Sequence, residues 1–359
     1  MARPSSAAYT PYIVSVVGNV TIEPKSNEVP KFTKKLKDTN DTTGVITGWQ
    51  DSADYDIDDK IPFRLQGTVS KDYDSYSKYY YAFHDVEEKG LTFDPSSVKV
   101  FVGDEVTGTK IDASNYTVVT SPTDGCTFEI VFDDLKNISI VTAKSIITVT
   151  YESTLNTDAV LGAQGNVNTA KLEYSNNPRG NGTGTTPWDN VIVFTYKVVV
   201  NKVDQDNNPL VGAQFTLTKK LKDGTEVDMP MNIDTSNEAL FTLSGLDDGE
   251  YTLTETVTPA HYNTISPITF TVNADHTITW ETERREDILT SLSGDKKVGE
   301  ITFTSSKTDG TLTTNVINNI GTTLPGTGGI GTTIFYVIGG GLMVAAAILL
   351  ITKKRMENR

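Results

Sequence analysis

The sequence predicts an all-β chain: two β-sandwiches in tandem, followed by a single C-terminal membrane-spanning helix. Three observations carry this expectation. Tyr, Thr, Val and Asp are abundant, while long Ala/Leu/Glu helical runs are missing. Short alternating runs bounded by Asp, Asn, Gly or Pro recur from about residue 30 to residue 320, as the strands of a sandwich do. Finally, residues 334–351 carry no charged side chain, and Lys353, Lys354 and Arg355 follow at once. Such a run can cross a hydrocarbon core as a helix, and the basic cluster keeps its end on the cytoplasmic side.

Taken in order, the chain opens with "MARPSSAAYTPYIVSVVGNVTIEP", which lacks the apolar core of a secretory signal. "YIVSVVGNVTIE" reads as the closing strand of an earlier domain, so residues 1–27 are expected to be a domain remnant and linker. Runs such as "KIPFRLQGTV", "SVKVFVGDEV", "FEIVFDDL" and "SIITVTYES" make residues 28–180 a first β domain. The tyrosines of "DYDSYSKYYYAF" suggest an edge strand with half its rings buried. "SNNPRGNGTGTTPWDN", residues 175–190, is rich in Gly, Asn and Pro and marks the expected domain boundary. "GAQFTLTKK", "EALFTLSGL", "GEYTLTETV" and "PITFTVNAD" make residues 190–320 a second β domain. Within it, residues 281–310 are charged and loop-like, and read as an insertion or long hairpin. Residues 321–329, 334–351 and 352–359 follow as a short motif, a transmembrane helix and a basic tail.

Composition narrows the function. A formal net charge of −15 disfavours binding to a phosphate backbone, so no nucleic-acid partner is expected. The single cysteine, Cys126, excludes an intrachain disulfide framework. "DQDNNPLVGAQF" begins like a calcium loop but lacks its Gly and final Glu, and Pro209 suggests a hairpin turn instead. His84, His261 and His276 have no metal-ligand spacing, so no metal is expected. No phosphate loop or nucleophile elbow occurs, so neither a cofactor nor a turnover enzyme is expected.

Period-two alternation then singles out polar residues in apolar rows. In "PKFTKKLKD", Phe32, Lys34 and Leu36 share a face; in "FTYKVVVNKVD", the row Tyr196, Val198, Val200 continues to Lys202. Asp85 falls in line with Tyr81 and Phe83, and Asn168 with Ala170, Leu172 and Tyr174. In the second half Glu255 aligns with Tyr251 and Leu253, and Asn318 with Val316. Each half thus offers one lysine, one acid and one asparagine facing a core. A lysine out of water is pushed toward the neutral, nucleophilic amine. A buried carboxylic acid can stay protonated, donate to an amide oxygen and shuttle protons. Attack of the amine on the carboxamide releases ammonia and leaves a Lys–Asn amide, a single turnover inside the folded chain. Such a crosslink restricts the unfolded chain as a disulfide does, without an oxidising environment.

"YKVVVNKVDQDNNPLVGAQFTL", "YTLTETVTPAHY" and "NVINN…LPGTG" together resemble the Cna B-type domain of Gram-positive fimbrial proteins. The resemblance covers roughly residues 190–320 and implies an immunoglobulin-like sandwich with a Lys202–Asn318 isopeptide bond promoted by Glu255. One departure is His261, which stands where the family's box has Gly before its final aromatic, here Tyr262. "KFTKKLKD", "DYDIDDKIPFRLQGTV", "YAFHDVEEKGLTF" and "NTAKLEYSNNP" resemble the isopeptide-forming middle domain of pilus shaft subunits. That resemblance implies a Lys34–Asn168 bond promoted by Asp85; Lys35 and Asn166 are the alternatives if the register differs.

Leu324-Pro325-Gly326-Thr327-Gly328, the apolar span and the basic tail together resemble a cell-wall sorting signal. The resemblance implies that sortase cuts between Thr327 and Gly328 and transfers the Thr327 acyl group to an amine, the helix being a transient membrane hold. Peptidoglycan or a neighbouring pilin would supply that amine. Shaft subunits usually accept on a Tyr-Pro-Lys-Asn lysine; here the nearest match is "TIEPKSN", which makes Lys25 the candidate acceptor. The expected function is a structural, cell-wall-anchored pilus subunit supporting adhesion, with a host surface ligand as a further partner. The alternative is a monomeric adhesin whose sandwiches form a stalk for a ligand-binding domain outside this chain.

Overall fold

The computed structural model describes residues 28–233, 237–280 and 284–321. Lys25, the 324–328 motif, the 334–351 span and the basic tail lie outside the described residues. Among the described residues no helix is long and apolar enough to cross a membrane.

Four sheets pack as two sandwiches. The first sheet runs in the order Phe32–Leu36, Lys60–Thr68, Ile146–Leu155, Leu91–Val102 and Thr109–Lys110. Facing it is a sheet ordered Ser52–Asp54, Asp189–Phe194, Asn166–Ser175, Tyr81–Glu87, Phe128–Phe132 and Thr117–Val119, with Thr183–Thr185 added beside Asn166–Ser175. Strict alternation drives this pairing: the Lys60–Thr68 strand buries Ile61, Phe63 and Leu65 and turns Lys60, Arg64 and Gln66 away from the core. The core between the sheets is unusually aromatic, with Phe63, Phe83, Phe128, Phe132 and Tyr151 all buried.

The second sandwich repeats the logic. One sheet is ordered Asn232–Ile233, Leu240–Leu246, Tyr196–Asp204, Thr311–Asn318 and Thr304–Ser306. The other is ordered Glu226–Met229, Gln214–Lys220, Gly249–Val257, Ile268–His276 and Leu289–Val298. The first and last long strands of this unit, Tyr196–Asp204 and Thr311–Asn318, lie side by side and parallel. The "DQDNNP" segment forms a tight turn, with Asp204 Oδ1 accepting the amides of Asp206 and Asn208.

Two expectations need correction, and a third narrows to one of its alternatives. The domain boundary lies at Thr195, not in residues 175–190. Asp189–Phe194 pairs with Asn166–Ser175 and Ser52–Asp54 in the first sandwich, while Tyr196 opens the second. The apolar run crosses the seam without a break because both halves are strands buried in a core. Residues 284–310 answer to the long-hairpin alternative and not to an insertion of loop: Leu289–Val298 is an edge strand that pairs antiparallel with Ile268–His276, and its charges face water. The tyrosine cluster is no edge strand either. Tyr73 lies in a short 3-10 turn, and Tyr81–Glu87 is central between Asn166–Ser175 and Phe128–Phe132. Tyr73, Tyr76, Tyr79 and Tyr81 pack edge-on or tilted against one another in the core.

The sandwiches meet through a polar seam. Lys219 reaches from the second into Asp41 and Asp56 of the first, and Arg285 forms a forked pair with Glu88 (2.8 and 2.6 Å). His276 stands between Asp38 and Asp54, and Trp280 Nε1 donates to Asn190 O at 3.1 Å. At one point backbone meets backbone: a Cβ on Gly162 would collide with Gly310 and Asp309, and both glycines have positive φ. Only glycine satisfies both demands.

Candidate functional site

In the first sandwich, Lys34 and Leu36 alternate into the core from Phe32–Leu36, and Lys34 is fully buried. From the opposite sheet, Tyr81–Glu87 and Asn166–Ser175 lie in register with Asp85 opposite Ala170 and Glu87 opposite Asn168. Lys34 therefore crosses between sheets to reach its partners. Its Nζ donates to Asp85 Oδ2 and, at 2.7 Å, to the Tyr151 hydroxyl. Tyr151 donates to Asp85 Oδ2 at 2.8 Å and accepts from Asn168 Nδ2 at 3.0 Å, joining all three groups at one oxygen. Asn168 Nδ2 also donates to Glu87 Oε1 at 3.2 Å.

Aromatic walls make the site dry. Lys34 Nζ sits 5.5 Å from the Phe63 ring centroid, and Phe63 stacks on Tyr151. Burial pushes the Lys34 amine below its ordinary value against the opposing pull of Asp85. Burial likewise pushes the Asp85 carboxyl up against the pull of Lys34. Glu87 is raised to about 8 by burial and by the charge of Asp85. Desolvation thus favours the neutral amine and neutral acid, the pair that amide formation needs.

In the second sandwich, Lys202 and Asn318 lie on the adjacent parallel strands, with Lys202 opposite Val316 and Asp204 opposite Asn318. Both side chains are fully buried. Lys202 Nζ donates to the carbonyls of Val203 (3.0 Å) and Val316 (3.1 Å). Glu255 comes from the opposite sheet and accepts Asn318 Nδ2 at both oxygens, 2.8 and 3.1 Å. Thr258 Oγ1 and the Ile265 amide also donate to Glu255 Oε2, which fixes its plane. Burial lowers the Lys202 amine to about 8, with Glu255 opposing. Among the described residues Lys202 and Glu255 make no direct ion pair, so the acid meets the asparagine first.

Both sites leave the same atom unpartnered: Asn168 Oδ1 and Asn318 Oδ1 are buried without a hydrogen bond. A half-turn of either carboxamide exchanges Oδ1 and Nδ2 and presents Oδ1 to a protonated acid.

The register alternatives occupy other places. Lys35 pairs with Asp51, and Asn166 bonds the backbone of Val160 and Val193. Two contributors escaped the sequence reading. Tyr151 shares its row with Ile147 and Val149, and Glu87 lies two residues beyond Asp85. Period two is consistent with both facing inward, but nothing in the sequence marks a mid-strand tyrosine or a strand-end glutamate as part of a site.

Tandem β-sandwiches ahead of a Leu-Pro-x-Thr-Gly motif define a class: surface proteins anchored to a Gram-positive cell wall. Residues 54–178 match the family described as Gram-positive pilin backbone subunit 2, Cna-B-like domain. Residues 196–286 match the SpaA prealbumin-like fold domain, and residues 317–358 match the LPXTG cell wall anchor motif. The chain is 26% identical to the trypsin-resistant surface T6 protein of Streptococcus pyogenes serotype M6, over 92% of this chain and 69% of the relative. Its fold is similar to that of the T6 backbone pilin of the same serotype, with a TM-score of 0.56 and 18% identity, covering 88% of this chain and 78% of that one. It is also similar to a C-terminal fragment of the major pilin GBS80 of Streptococcus agalactiae, with a TM-score of 0.54 and 21% identity, covering 81% and 100%. The protein is a Gram-positive pilin subunit, carried on the cell wall.

Proposed function

We propose that this pilin is a backbone subunit hardened by two self-made isopeptide bonds, Lys34–Asn168 and Lys202–Asn318, which carry load along the fibre and support adhesion. In each sandwich the neutral lysine amine attacks the asparagine Cγ. The acid, Asp85 or Glu255, delivers a proton toward Oδ1 and stabilises the developing oxyanion. The same acid returns a proton to the departing nitrogen, so one N–C bond forms, one breaks, and ammonia leaves. The observation that carries this reading is the arrangement itself: lysine, acid and asparagine are buried together twice, in sandwiches of different strand pairing. The two crosslinks differ in reach. The first would staple the two sheets of its sandwich, and the second would weld first strand to last within one sheet.

Sortase is the proposed partner at Thr327, with a neighbouring subunit or peptidoglycan supplying the amine and Lys25 as the candidate acceptor on this chain. The test is the intact mass of purified residues 28–320 with mapping of crosslinked peptides. A mass low by one ammonia per bond, with both pairs linked, is the expected result. The full calculated mass would overturn the crosslinks and leave the pilin reading on the domains and motif alone.

A further inference from the structure

Asp85 faces the core, so its chain neighbour His84 faces outward from the same strand. On that outer face the fold gathers groups that are far apart in sequence. Glu129 lies opposite His84 on the Phe128–Phe132 strand, and the turn before that strand brings Asp124 and Cys126 over the ring. His84 Nδ1 lies 3.0 Å from Glu129 Oε1, 3.1 Å from Asp124 Oδ2 and 3.9 Å from Cys126 Sγ. Cys126 Sγ lies 3.2 Å from the same Asp124 oxygen.

The mutual separations of His84 Nδ1, Asp124 Oδ2 and Cys126 Sγ, 3.1, 3.9 and 3.2 Å, are near the edges of one face of a coordination tetrahedron. Bonds of about 2.0–2.3 Å to nitrogen, oxygen and sulfur give edges of about 3.3–3.8 Å. The surroundings are also organised. Glu173 Oε2 faces His84 Nε2 at 3.0 Å, so it would hold the ring proton there once Nδ1 gives its lone pair to a metal. Asp124 Oδ1 accepts the Cys126 amide at 3.0 Å, leaving Oδ2 aimed inward, and Gly125 at φ +90° makes that turn possible. His84 is buried, while Asp124 and Cys126 are partly exposed and leave a way in.

We propose that His84 Nδ1, Asp124 Oδ2 and Cys126 Sγ bind a divalent transition ion of the zinc class, with a fourth position left for solvent, clasping the 124–126 turn to the central strand. A thiol and an imidazole among the donors disfavour calcium and magnesium, which take oxygen sets. The charge balance leaves room for a cation: three carboxylates surround one imidazole, with Lys171, opposite His84 and over the Trp188 ring, offsetting them in part. Burial opposes charge on His84, yet Glu173, Glu129 and Asp124 together hold its proton above the ordinary value. Burial and Asp124 push the Cys126 thiol to about 12, so it is no free nucleophile. Binding would release the thiol proton, and any proton on Nδ1, to solvent, with no redox change.

Cobalt(II) is the probe, titrated into the reduced, purified protein. The expected result is one equivalent bound, with tetrahedral visible bands, a thiolate-to-cobalt charge-transfer band and displacement by zinc. Cys126→Ser should remove the charge-transfer band. Glu173→Gln should keep it and weaken binding by about 10- to 100-fold. Thermal unfolding of each variant without metal checks that the sandwich is intact. Cobalt bound without a thiolate band, unchanged binding in Cys126→Ser, or no binding by the wild type would each overturn the site.

Discussion

The ammonium of Lys219, on the second sandwich, donates to Asp56 of the first at 2.5 Å, and both side chains are buried. Asp247 at 3.0 Å and Asp41 at 3.1 Å complete the cluster around it. This part of the seam between the sandwiches therefore gathers several acids around one cation. Lys219→Met removes the cation and strands the acids. Breaking a buried pair from one side costs about 3–5 kcal/mol. Calorimetry of the variant should show a lower transition, with the two sandwiches melting apart; an unchanged single transition would place the coupling elsewhere in the seam.

Two acids near that cluster, Asp59 and Asp248, set a pH dependence. Asp59 is raised to about 7 by burial and the charge of Asp56, and Asp248 to about 7 by burial and the charge of Asp54. A carboxyl whose folded value exceeds its unfolded one holds a proton that the unfolded chain has lost. Its stabilisation is complete below about 4 and is lost as the pH rises through about 7. Melting temperature should accordingly fall between pH 5 and pH 8. Asp248→Asn, which keeps an acceptor for Asn40, should flatten that slope.

Asp85→Asn and Glu255→Gln separate the acid's chemistry from its packing. Each keeps the shape of the site and removes the proton donor, so each variant should regain one ammonia in mass at its own sandwich only. In the chain-entropy account each lost crosslink costs about 4–5 kcal/mol, read as a lower melting temperature. Tyr151→Phe should fold and leave the first crosslink incomplete while the second forms fully, because only the first site is gathered around that hydroxyl.

His261 adopts φ +74°, the left-handed region, and its carbonyl accepts the Gly321 amide at 2.9 Å. The turn that the related family builds with glycine is thus kept here by a strained histidine. His261→Gly should stabilise the second sandwich by about 1 kcal/mol, since a left-handed L-residue costs about 1–2 kcal/mol. Denaturant unfolding checks this; a loss of stability would mean that the histidine side chain itself contributes.

What the sequence determined by itself was facing. Period two is fixed by the backbone before any partner is known, so Lys34, Asp85, Asn168, Lys202, Glu255 and Asn318 could be assigned to core rows from their neighbours alone. The all-β class and the anchor motif were legible for the same reason: both are local patterns. Tertiary structure decided everything that depends on which strand lies beside which. Lys34 reaches its partners across two sheets, whereas Lys202 has Asn318 on the next strand of its own. The seam at Thr195 carries no turn signal, because the run on either side of it is buried strand and only the pairing partner changes. The seam ions and the His84 cluster were invisible for a further reason. Their members come from separate strands and turns, so no spacing along the chain records that Cys126 stands over His84 or that Lys219 meets Asp56.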